Sequence, residues 1–306
     1  RRVAVVAVAA AVVAVGTLAL VYGPRSSSPG HGEPPPGAAV ARLVPTDTTT
    51  SAADLAADAR RLTVRLSSLG DTGARAVVRQ RSVVVVGGGR LPVTTADLAA
   101  VGQLEIRPVL CLSAPYTAAQ SAPSGTAVPA GCPAPYSLKS ALLVNTSTGT
   151  ANLQSIPLDP TLAAIATSTP AYDQSHPASP VLLALTGAGG ERNLLGPSAM
   201  DGSSVASASA VFESPQWVVD VTLTPAGAVR WDAVAQRNFH RVVAFDVDGQ
   251  ILSAPIVQPA QTAFASFDGK VQISGSFSAS AAETLAAELS SGPLAAPLSS
   301  TAAAPA

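Results

Sequence analysis

Charged and aromatic residues are scarce in this 306-residue chain, making up 12% and 4% of the sequence. The net charge is −1 and basic residues form no run, so the positively charged surface that nucleic-acid binding requires is not expected. Because aromatic side chains are so few, the core has to be built from valine, leucine, isoleucine and alanine. The length suffices for one large domain or two small ones.

Residues that carry enzyme chemistry are also few. The three histidines are His31, His176 and His240, and no Gly-x-Ser-x-Gly motif accompanies them. His31 and His176 lie in irregular segments, and His240 is predicted to be an exposed or capping residue before a strand. Nothing in the sequence favours a pair of carboxylates of the glycosidase type. We therefore predict that the protein is not an enzyme and has no catalytic residues.

Two short motifs resemble ligand-binding loops but lack essential members. Asp246, Asp248 and Gly249 suggest a calcium loop. The glycine, however, falls at the fourth position where an EF-hand needs it at the sixth, and Val257 stands in place of the final glutamate. The glycines at 87–89 suggest a phosphate loop, but no Lys-Ser or Lys-Thr pair follows them. The sequence therefore predicts no metal site and no cofactor.

A long apolar segment stands at the N-terminus. The stretch from Val3 to Tyr22 holds no charged residue and follows Arg1-Arg2. About 20 helical residues cross ~30 Å of hydrocarbon, and basic residues remain in the cytoplasm. Residues 1–22 are therefore predicted to be a single-pass transmembrane anchor in the cell (plasma) membrane, with the N-terminus cytoplasmic and the bulk of the chain extracytoplasmic. A cleaved signal peptide is the alternative, although its apolar core is usually shorter.

Two stretches of irregular composition follow the anchor. Residues 23–37 are rich in Pro, Gly and Ser and are predicted to be an extended linker. Residues 111–180 are interpreted as an irregular insertion, because only short apolar runs interrupt their Pro- and Ser-rich sequence. Cys111 and Cys132 lie in this insertion. In an extracytoplasmic chain they favour a disulfide, which would contribute ~3 kcal/mol by closing a loop of about 22 residues. Two free thiols are the alternative.

The segment before the insertion has a β-α-β-α-β rhythm. Residues 38–45 and 103–110 predict strands, and residues 74–86 predict one strand or a hairpin. Thr94 opens a short helix through Val101. A longer helix is predicted from a cap formed by Ser51 and Asp54 to a stop at Gly70, and its apolar stripe consists of Leu55, Ala59, Leu62, Leu66 and Leu69.

The chain becomes regular again after residue 181. Residues 217–223 alternate and predict a strand, residues 225–227 a turn, and residues 229–237 a helix. Asp248-Gly249, between two apolar runs, predicts a two-residue hairpin turn.

A final helix is predicted close to the C-terminus. Ser280 stands three residues before Glu283 and forms a candidate capping box. Leu285 and Leu289 lie on the apolar side of this helix, and Gly292-Pro293 ends it.

These segments together resemble the first extracytoplasmic domain of SecD, a membrane subunit that assists late protein export. Residues 242–298 are similar to the family's line DGKVISAPVI, its I-x-G-x-F strand and its helix ending L-x-x-G-x-L-P-x-P-L. Residues 195–208 resemble Y-x-L-G-P-x-x-L-x-G-x-D-V-x-x-A, and residues 217–227 resemble W-x-V-x-L-x-F-T-x-x-G. The motif positions singled out are Leu195, Gly196, Pro197, Gly202, Trp217, Gly227, Asp248, Gly249, Ser253, Ala254, Pro255, Ile273, Gly275, Phe277, Leu289, Gly292 and Leu294.

The resemblance implies an α+β fold, in which an N-terminal transmembrane helix precedes a ferredoxin-like base subdomain and an α+β head subdomain. After the anchor (1–22) and the linker (23–37), residues 38–110 are predicted to form the first part of the base. The insertion (111–180) precedes the head region (181–298), whose last helix returns to the base. Residues 299–306 are predicted to be a disordered tail.

The resemblance also implies a role in protein translocation, exerted by binding emerging polypeptide or the translocon. The expected partners are the Sec translocon or a SecF-like subunit, unfolded exported polypeptide, and the membrane through residues 3–22; nucleic acid is not among them. A cell-envelope binding protein of the same fold with a non-export ligand is the alternative.

The sequence departs from a full SecD in two respects. SecD carries further membrane helices with charged residues that couple proton flow to export, whereas the predicted anchor holds no ionisable residue and the family's L-D-L-x-G-G motif is missing. The chain is therefore interpreted either as a truncated SecD or as a single-pass relative without proton-conducting helices.

Overall fold

The computed structural model describes residues 39–87, 91, 93–113 and 192–301, and between 114 and 191 only residues 131–132, 137–138, 144–145, 150–151, 158–159, 162 and 177–185. The predicted anchor and linker lie outside the described residues, as do His31, His176 and most of the predicted insertion. Among the helices in the described ranges, none has the length and apolar character needed to cross a membrane.

The described chain is rich in strands. These are β1 Ala39–Pro45, β2 Ala74–Arg79, β3 Ser82–Gly87, β4 Leu104–Ser113, β5 Val144–Asn145, β6 Thr150–Ala151, β7 Val181–Ala184, β8 Arg192–Leu195, β9 Met200–Asp201, β10 Val205–Glu213, β11 Gln216–Leu223, β12 Val243–Val247, β13 Gln250–Ser253, β14 Lys270–Phe277 and β15 Leu298–Thr301. The helices are α1 Ala52–Ser68, α2 Thr95–Ala99, α3 Pro225–Arg237 and α4 Ala279–Ser291, and a 3₁₀ helix spans Gly202–Ser204.

The chain divides into two compact units. We call Gly102–Pro293 the head, and the described residues 39–101 together with 294–301 the base. The head is thus inserted into the sequence of the base, between α2 and β15. The sequence analysis placed the first boundary after residue 110. It lies at residue 101 because β4 pairs with strands of the head.

The base is a βαββαβ unit with the element order of a ferredoxin-like fold. Its antiparallel sheet has the strand order β15-β1-β3-β2, and apolar side chains of α1 and α2 join those of the sheet in one core. Residues 299–301, predicted to belong to a disordered tail, form most of β15. This short polar strand has no alternating pattern, and its place is set by pairing with β1.

Helix α1 begins and ends where the sequence predicts. The Ser51 hydroxyl accepts a hydrogen bond from the backbone N–H of Asp54 at 3.1 Å, and the Asp54 carboxylate accepts one from the backbone N–H of Ser51 at 3.2 Å. Gly70, with a φ of 89°, follows the helix. The 74–86 segment forms the β2–β3 hairpin.

Two buried polar side chains of α1 hold loops of the base. Arg65 donates from Nη1 to the carbonyl oxygens of Leu98 at 3.0 Å and Ala100 at 2.6 Å. Asp58 accepts from the backbone N–H of Ala295 at 2.6 Å. Burial raises the pKa of Asp58, although its backbone hydrogen bonds oppose that effect. These bonds connect α1 to the segments that lead out of α2 and into β15.

The head contains two larger sheets. The first has the strand order β13-β12-β4-β8-β7, and β9 also pairs with β4. The second has the order β10-β11-β14 and is antiparallel throughout. The main core of the head combines side chains of β4, β11, β12 and β14 with those of α3 and α4.

Helix α4 packs differently from the prediction. Leu285 and Leu289 are buried as expected, but they lie in the core of the head with Val219 and Ile273. The helix follows β14 directly and packs its apolar side on the sheet that contains β10 and β11.

Two helices also begin at other residues than predicted. The N-cap of α4 is Ser278, whose hydroxyl accepts from the backbone N–H of Ala281 at 3.2 Å, rather than Ser280. Helix α3 begins at Pro225 after the N-cap Thr224, so residues 225–227 form its first turn rather than a separate one. Proline is suited to this position because the first helical N–H needs no partner.

Candidate functional site

The β12–β13 hairpin carries the most specific part of the motif. Asp248 and Gly249 occupy its turn with φ values of 51° and 79°, the left-handed conformation that a two-residue hairpin turn requires. The carboxylate of Asp248 accepts hydrogen bonds from the backbone N–H groups of Gly102 at 2.9 Å and Gln103 at 2.8 Å. Asp248 therefore fastens the hairpin to the start of β4.

Three buried charged side chains lie on the adjacent strands β4 and β12. Glu105 and Asp246 stand directly opposite each other in the register, and all three residues are at most 2% exposed. Arg107 is ion-paired with Glu105, and its Nε lies 3.7 Å from a carboxylate oxygen of Asp246. Its Nη1 donates to the carbonyl oxygens of Ser179 and Gly196, both at 3.0 Å. Arg107 thereby joins two strands and two loops.

Burial raises the pKa of Asp246 to about 7, an effect that Arg107 opposes and Glu105 reinforces. The sequence analysis did not single out this cluster. Its signal was present, because Glu105, Arg107 and Asp246 each interrupt an otherwise apolar strand. A charged residue in such a strand needs a buried partner, but the sequence does not say which one.

The Leu195-Gly196-Pro197 motif follows β8. Leu195 is fully buried and pairs with Val109 of β4, whereas Pro197 is exposed. The N–H of Gly196 donates to the carbonyl oxygen of Pro108 at 2.8 Å. A Cβ atom at Gly196 would lie 3.0 Å from the Pro108 ring, so this close approach favours glycine.

Two further motif glycines lie next to the 3₁₀ helix. A Cβ atom at Gly227, in the first turn of α3, would lie 2.5 Å from the carbonyl oxygen of Ser204. Packing therefore requires glycine at this position. Gly202 is buried, but a Cβ atom there would meet Leu104 at an ordinary 3.7 Å.

The motif residues of the second head sheet gather aromatic side chains at one end of it. Trp217 pairs with Phe277 across β11 and β14, and its ring centroid lies 5.4 Å from that of Phe212 on β10. Ile273 is fully buried. At Gly275 a Cβ atom would lie 3.1 Å from the Phe277 ring. Phe212, which the sequence analysis did not single out, is 55% exposed beside this group.

The remaining motif residues are structural as well. Ser253, the last residue of β13, is buried. The next residue, Ala254, packs on a second apolar cluster of the head. The carbonyl oxygen of Pro255 accepts a hydrogen bond from the N–H of Val243 at 3.0 Å. Leu289 lies in the head core, Gly292 has a φ of 75° after α4, and Leu294 lies in the base core. The structure thus distributes the motif over turns and cores and does not gather it around one pocket.

The head also contains a polar cavity of about 400 Å³. Gln103, Glu105, Ser198, Asp201 and Arg230 supply its polar lining, and it is completed by Pro177, Ala178 and Met200. Glu105 connects the cavity to the buried charged cluster. None of the motif positions singled out in the sequence lines it, although Ser198, Met200 and Asp201 lie within the motif-like stretch 195–208.

His240 and the cysteines were the other residues considered for a site. Within the described ranges, no three His, Cys, Asp or Glu side chains cluster in a way suited to a metal ion. His240, predicted to be exposed or capping, is 5% exposed. Its ring stacks on Phe239 with centroids 3.8 Å apart, and its Nε2 lies 2.7 Å from the carbonyl oxygen of Gln261. It is a packed residue because both its ring face and its Nε2 are occupied. Cys111 and Cys132 form the predicted disulfide, with Cα atoms 5.9 Å apart.

Parts of this chain are similar in sequence to known proteins. Residues 182–296 match the family model of the SecDF P1 head subdomain. The protein translocase subunit SecDF of Thermus thermophilus is 36% identical over 107 residues, which are 34% of this chain and 14% of that protein.

One solved structure is similar in fold, and a second is given for comparison. A crystal structure of SecDF in a super-membrane-facing form gives a TM-score of 0.51 at 19% identity, over 85% of this chain and 29% of that one. Another structure, of a membrane component SecDF that enhances protein export, gives a TM-score of 0.49 at 20% identity, over 87% of this chain and 99% of that one. The matched residues make up only 14% of the length of the curated relative. In residues 182–296 this chain is thus similar to the P1 head subdomain of the SecDF family.

Proposed function

We propose that this protein is a membrane-anchored extracytoplasmic module that assists protein export by binding emerging polypeptide or the translocon. The match of residues 182–296 to the SecDF P1 head subdomain carries this proposal. The relative it resembles is a protein translocase subunit, and the family resemblance of the sequence points to the same process. In this proposal the module acts by binding and conformational change, without covalent chemistry, and its motif residues serve turns and packing.

The anchor is the second element of this proposal. The uncharged run from Val3 to Tyr22, behind Arg1-Arg2, supports a location of the head and the base outside the cytoplasm. Phosphatase fused after residue 301 should be active, and the chain should resist extraction by alkaline carbonate. Release of the chain by carbonate, or activity only when the reporter is cytoplasmic, would contradict the anchor.

Crosslinking in cells tests the export role. A photoreactive amino acid placed at Val64 and Val78 of the base and at Phe212 and Val229 of the head uses side chains that are 38–73% exposed, so the probes should be tolerated. We expect adducts with translocon subunits or with a secretory polypeptide arrested in export. Adducts with neither, from probes that react efficiently with other neighbours, would remove the export role.

A second candidate function has one observation in its favour. The polar cavity beside Glu105, with Asp201 and Arg230 in its lining, is of a size that accepts a small ligand. A cell-envelope binding protein with a non-export ligand would use such a site. Stabilisation of the protein by a small envelope metabolite in a thermal-shift screen, combined with no response to unfolded peptides, would favour this function over export.

A further inference from the structure

Strand β10 forms one border of the second head sheet. It pairs with β11 on one side, and no strand in the described part of the chain pairs with its other side. The strand is nine residues long and reads VASASAVFE, without lysine or proline. Long edge strands are usually protected by such residues, because their free backbone groups can pair with another chain.

The hydrogen bonds of Ala208 identify the backbone groups that point away from β11. Its N–H donates to the hydroxyl of Ser290 at 2.9 Å, and the same hydroxyl donates to the carbonyl oxygen of Ala208 at 3.0 Å. In an antiparallel pair, alternate residues direct both groups to the same side. Ala210 and Phe212 therefore also direct their N–H and C=O groups to the outer edge.

The contact with Ser290 also shows how this edge is closed at one end. One hydroxyl of α4 satisfies both outward groups of Ala208, as a residue of a neighbouring strand would. The register irregularity between Val205 and Ser207 lies at the same end. The Ser290 contact therefore covers the first half of β10. Along the half from Ala210 to Glu213 no strand in the described part of the chain pairs with the outer edge, and Phe212 and Glu213 are exposed.

An exposed aromatic side chain lies beside the half of β10 from Ala210 to Glu213. Phe212 is 55% exposed, and its ring packs at a centroid distance of 5.4 Å on Trp217 of β11. An extended chain on this edge would place one of its side chains next to the exposed face of Phe212. Main-chain hydrogen bonds do not depend on the guest sequence, whereas the aromatic pair would select an apolar side chain.

We propose that the edge of β10 from Ala210 to Glu213 binds an extended, unfolded polypeptide as an additional strand, with an apolar guest side chain on Phe212 and Trp217. This inference rests on the proposed function in export and assigns to it a docking surface. The guest is recognised by its free main-chain groups and one apolar residue, which many exported chains can supply before they fold.

Substitution of Ala210 by proline tests the backbone contact. Proline removes the outward N–H of Ala210 and no hydrogen bond to β11, because the N–H of this residue faces the edge. Ala210→Ser is the matched control, since it keeps the N–H at the same site. For the full chain in detergent and a fluorescent, unfolded apolar peptide, we expect about tenfold weaker binding with Ala210→Pro and near wild-type binding with Ala210→Ser.

Phe212→Ala tests the aromatic anchor, and Val229→Ala, at a 73% exposed position of α3, is its control. We expect Phe212→Ala to weaken peptide binding by about fivefold or more, and Val229→Ala to leave it unchanged. Circular dichroism of each variant reports whether the fold is retained.

A peptide series on the wild-type chain keeps the test independent of folding. A peptide with N-methyl groups on alternate residues retains one edge of free N–H groups and should bind, whereas the same sequence methylated throughout should not. If both peptides bind equally well, or if Ala210→Pro binds as well as the wild type, binding at the β10 edge would be contradicted. Neither result would contradict the export role. Failure of the wild-type chain to bind any unfolded peptide would overturn both.

Discussion

Asp246 is the residue whose environment departs most from that of a carboxylate in water. It lies opposite Glu105 on β4, is 1% exposed, and is contacted by Arg107 at 3.7 Å. Its raised pKa, about 7, means that the folded head holds a proton that the unfolded chain has already released above pH 4 or so. Protonation of Asp246 is therefore linked to folding.

We expect the head of the wild-type protein to become less stable as the pH rises from about 4 to about 7, and to show no further loss from this group above pH 7. The steepest slope is ~1.4 kcal/mol per pH unit, because one proton is involved. In Asp246→Asn, which cannot titrate, this part of the slope should vanish. Urea unfolding at several pH values measures it.

Asp268→Asn, a change at an exposed carboxylate, serves as the control and should keep the wild-type slope. Parallel stability curves for wild type and Asp246→Asn would contradict the linkage.

At the scale of elements, local signals located most turns and caps of the described chain correctly. Ser51 with Asp54, Thr94 with Asp97, and the Asp248-Gly249 turn each act through neighbours within three residues, so a short sequence window contains the whole cause. The N-cap of α4 was misplaced because the capping-box spacing favours Ser280 with Glu283, whereas the helix begins directly after β14 and is capped by Ser278, which has Ala281 three residues on.

Contacts between residues that are far apart in the sequence could not be predicted from local sequence patterns. The exposed edge of β10 depends on which strands pair, and the cap on it joins Ala208 to Ser290, 82 residues away. The packing of α4 on the head also depends on pairing that no periodicity records. Its apolar side was predicted correctly, but the surface that it covers was not.

Helix α4 should contribute strongly to the stability of the head. Leu289 is 3% exposed in the main core, and Leu289→Ala is expected to lower the free energy of unfolding by ~2–5 kcal/mol, because it removes apolar contacts and leaves a cavity. Chemical denaturation measures the change. Val229→Ala, at an exposed position of the same unit, should change stability by less than about 0.5 kcal/mol. A similar small effect at Leu289 would show that the helix is not packed as described.

At the scale of the whole molecule, the base depends on the two ends of its sequence. Strand β15 covers the edge of β1, and it is reached only after the 192 residues of Gly102–Pro293. Deletion of residues 298–306 should therefore raise the hydrogen-exchange rate of β1 amides and leave those of β12 unchanged, because β12 belongs to the head.

Deletion of residues 302–306 alone provides the matched control and should preserve protection of β1, since β15 ends at Thr301. Unchanged protection of β1 after the longer deletion would show that β15 is dispensable.

Because the head is inserted into the sequence of the base, the two units are synthesised and can fold only in a fixed order. A ribosome releases β1, α1, β2, β3 and α2 first, and these elements must wait with one flank of β1 unpaired while the entire inserted unit is made. All strands of the head have been synthesised before β15 completes the base. Its maturation therefore precedes closure of the ferredoxin-like unit, which has to wait until β15 has been synthesised.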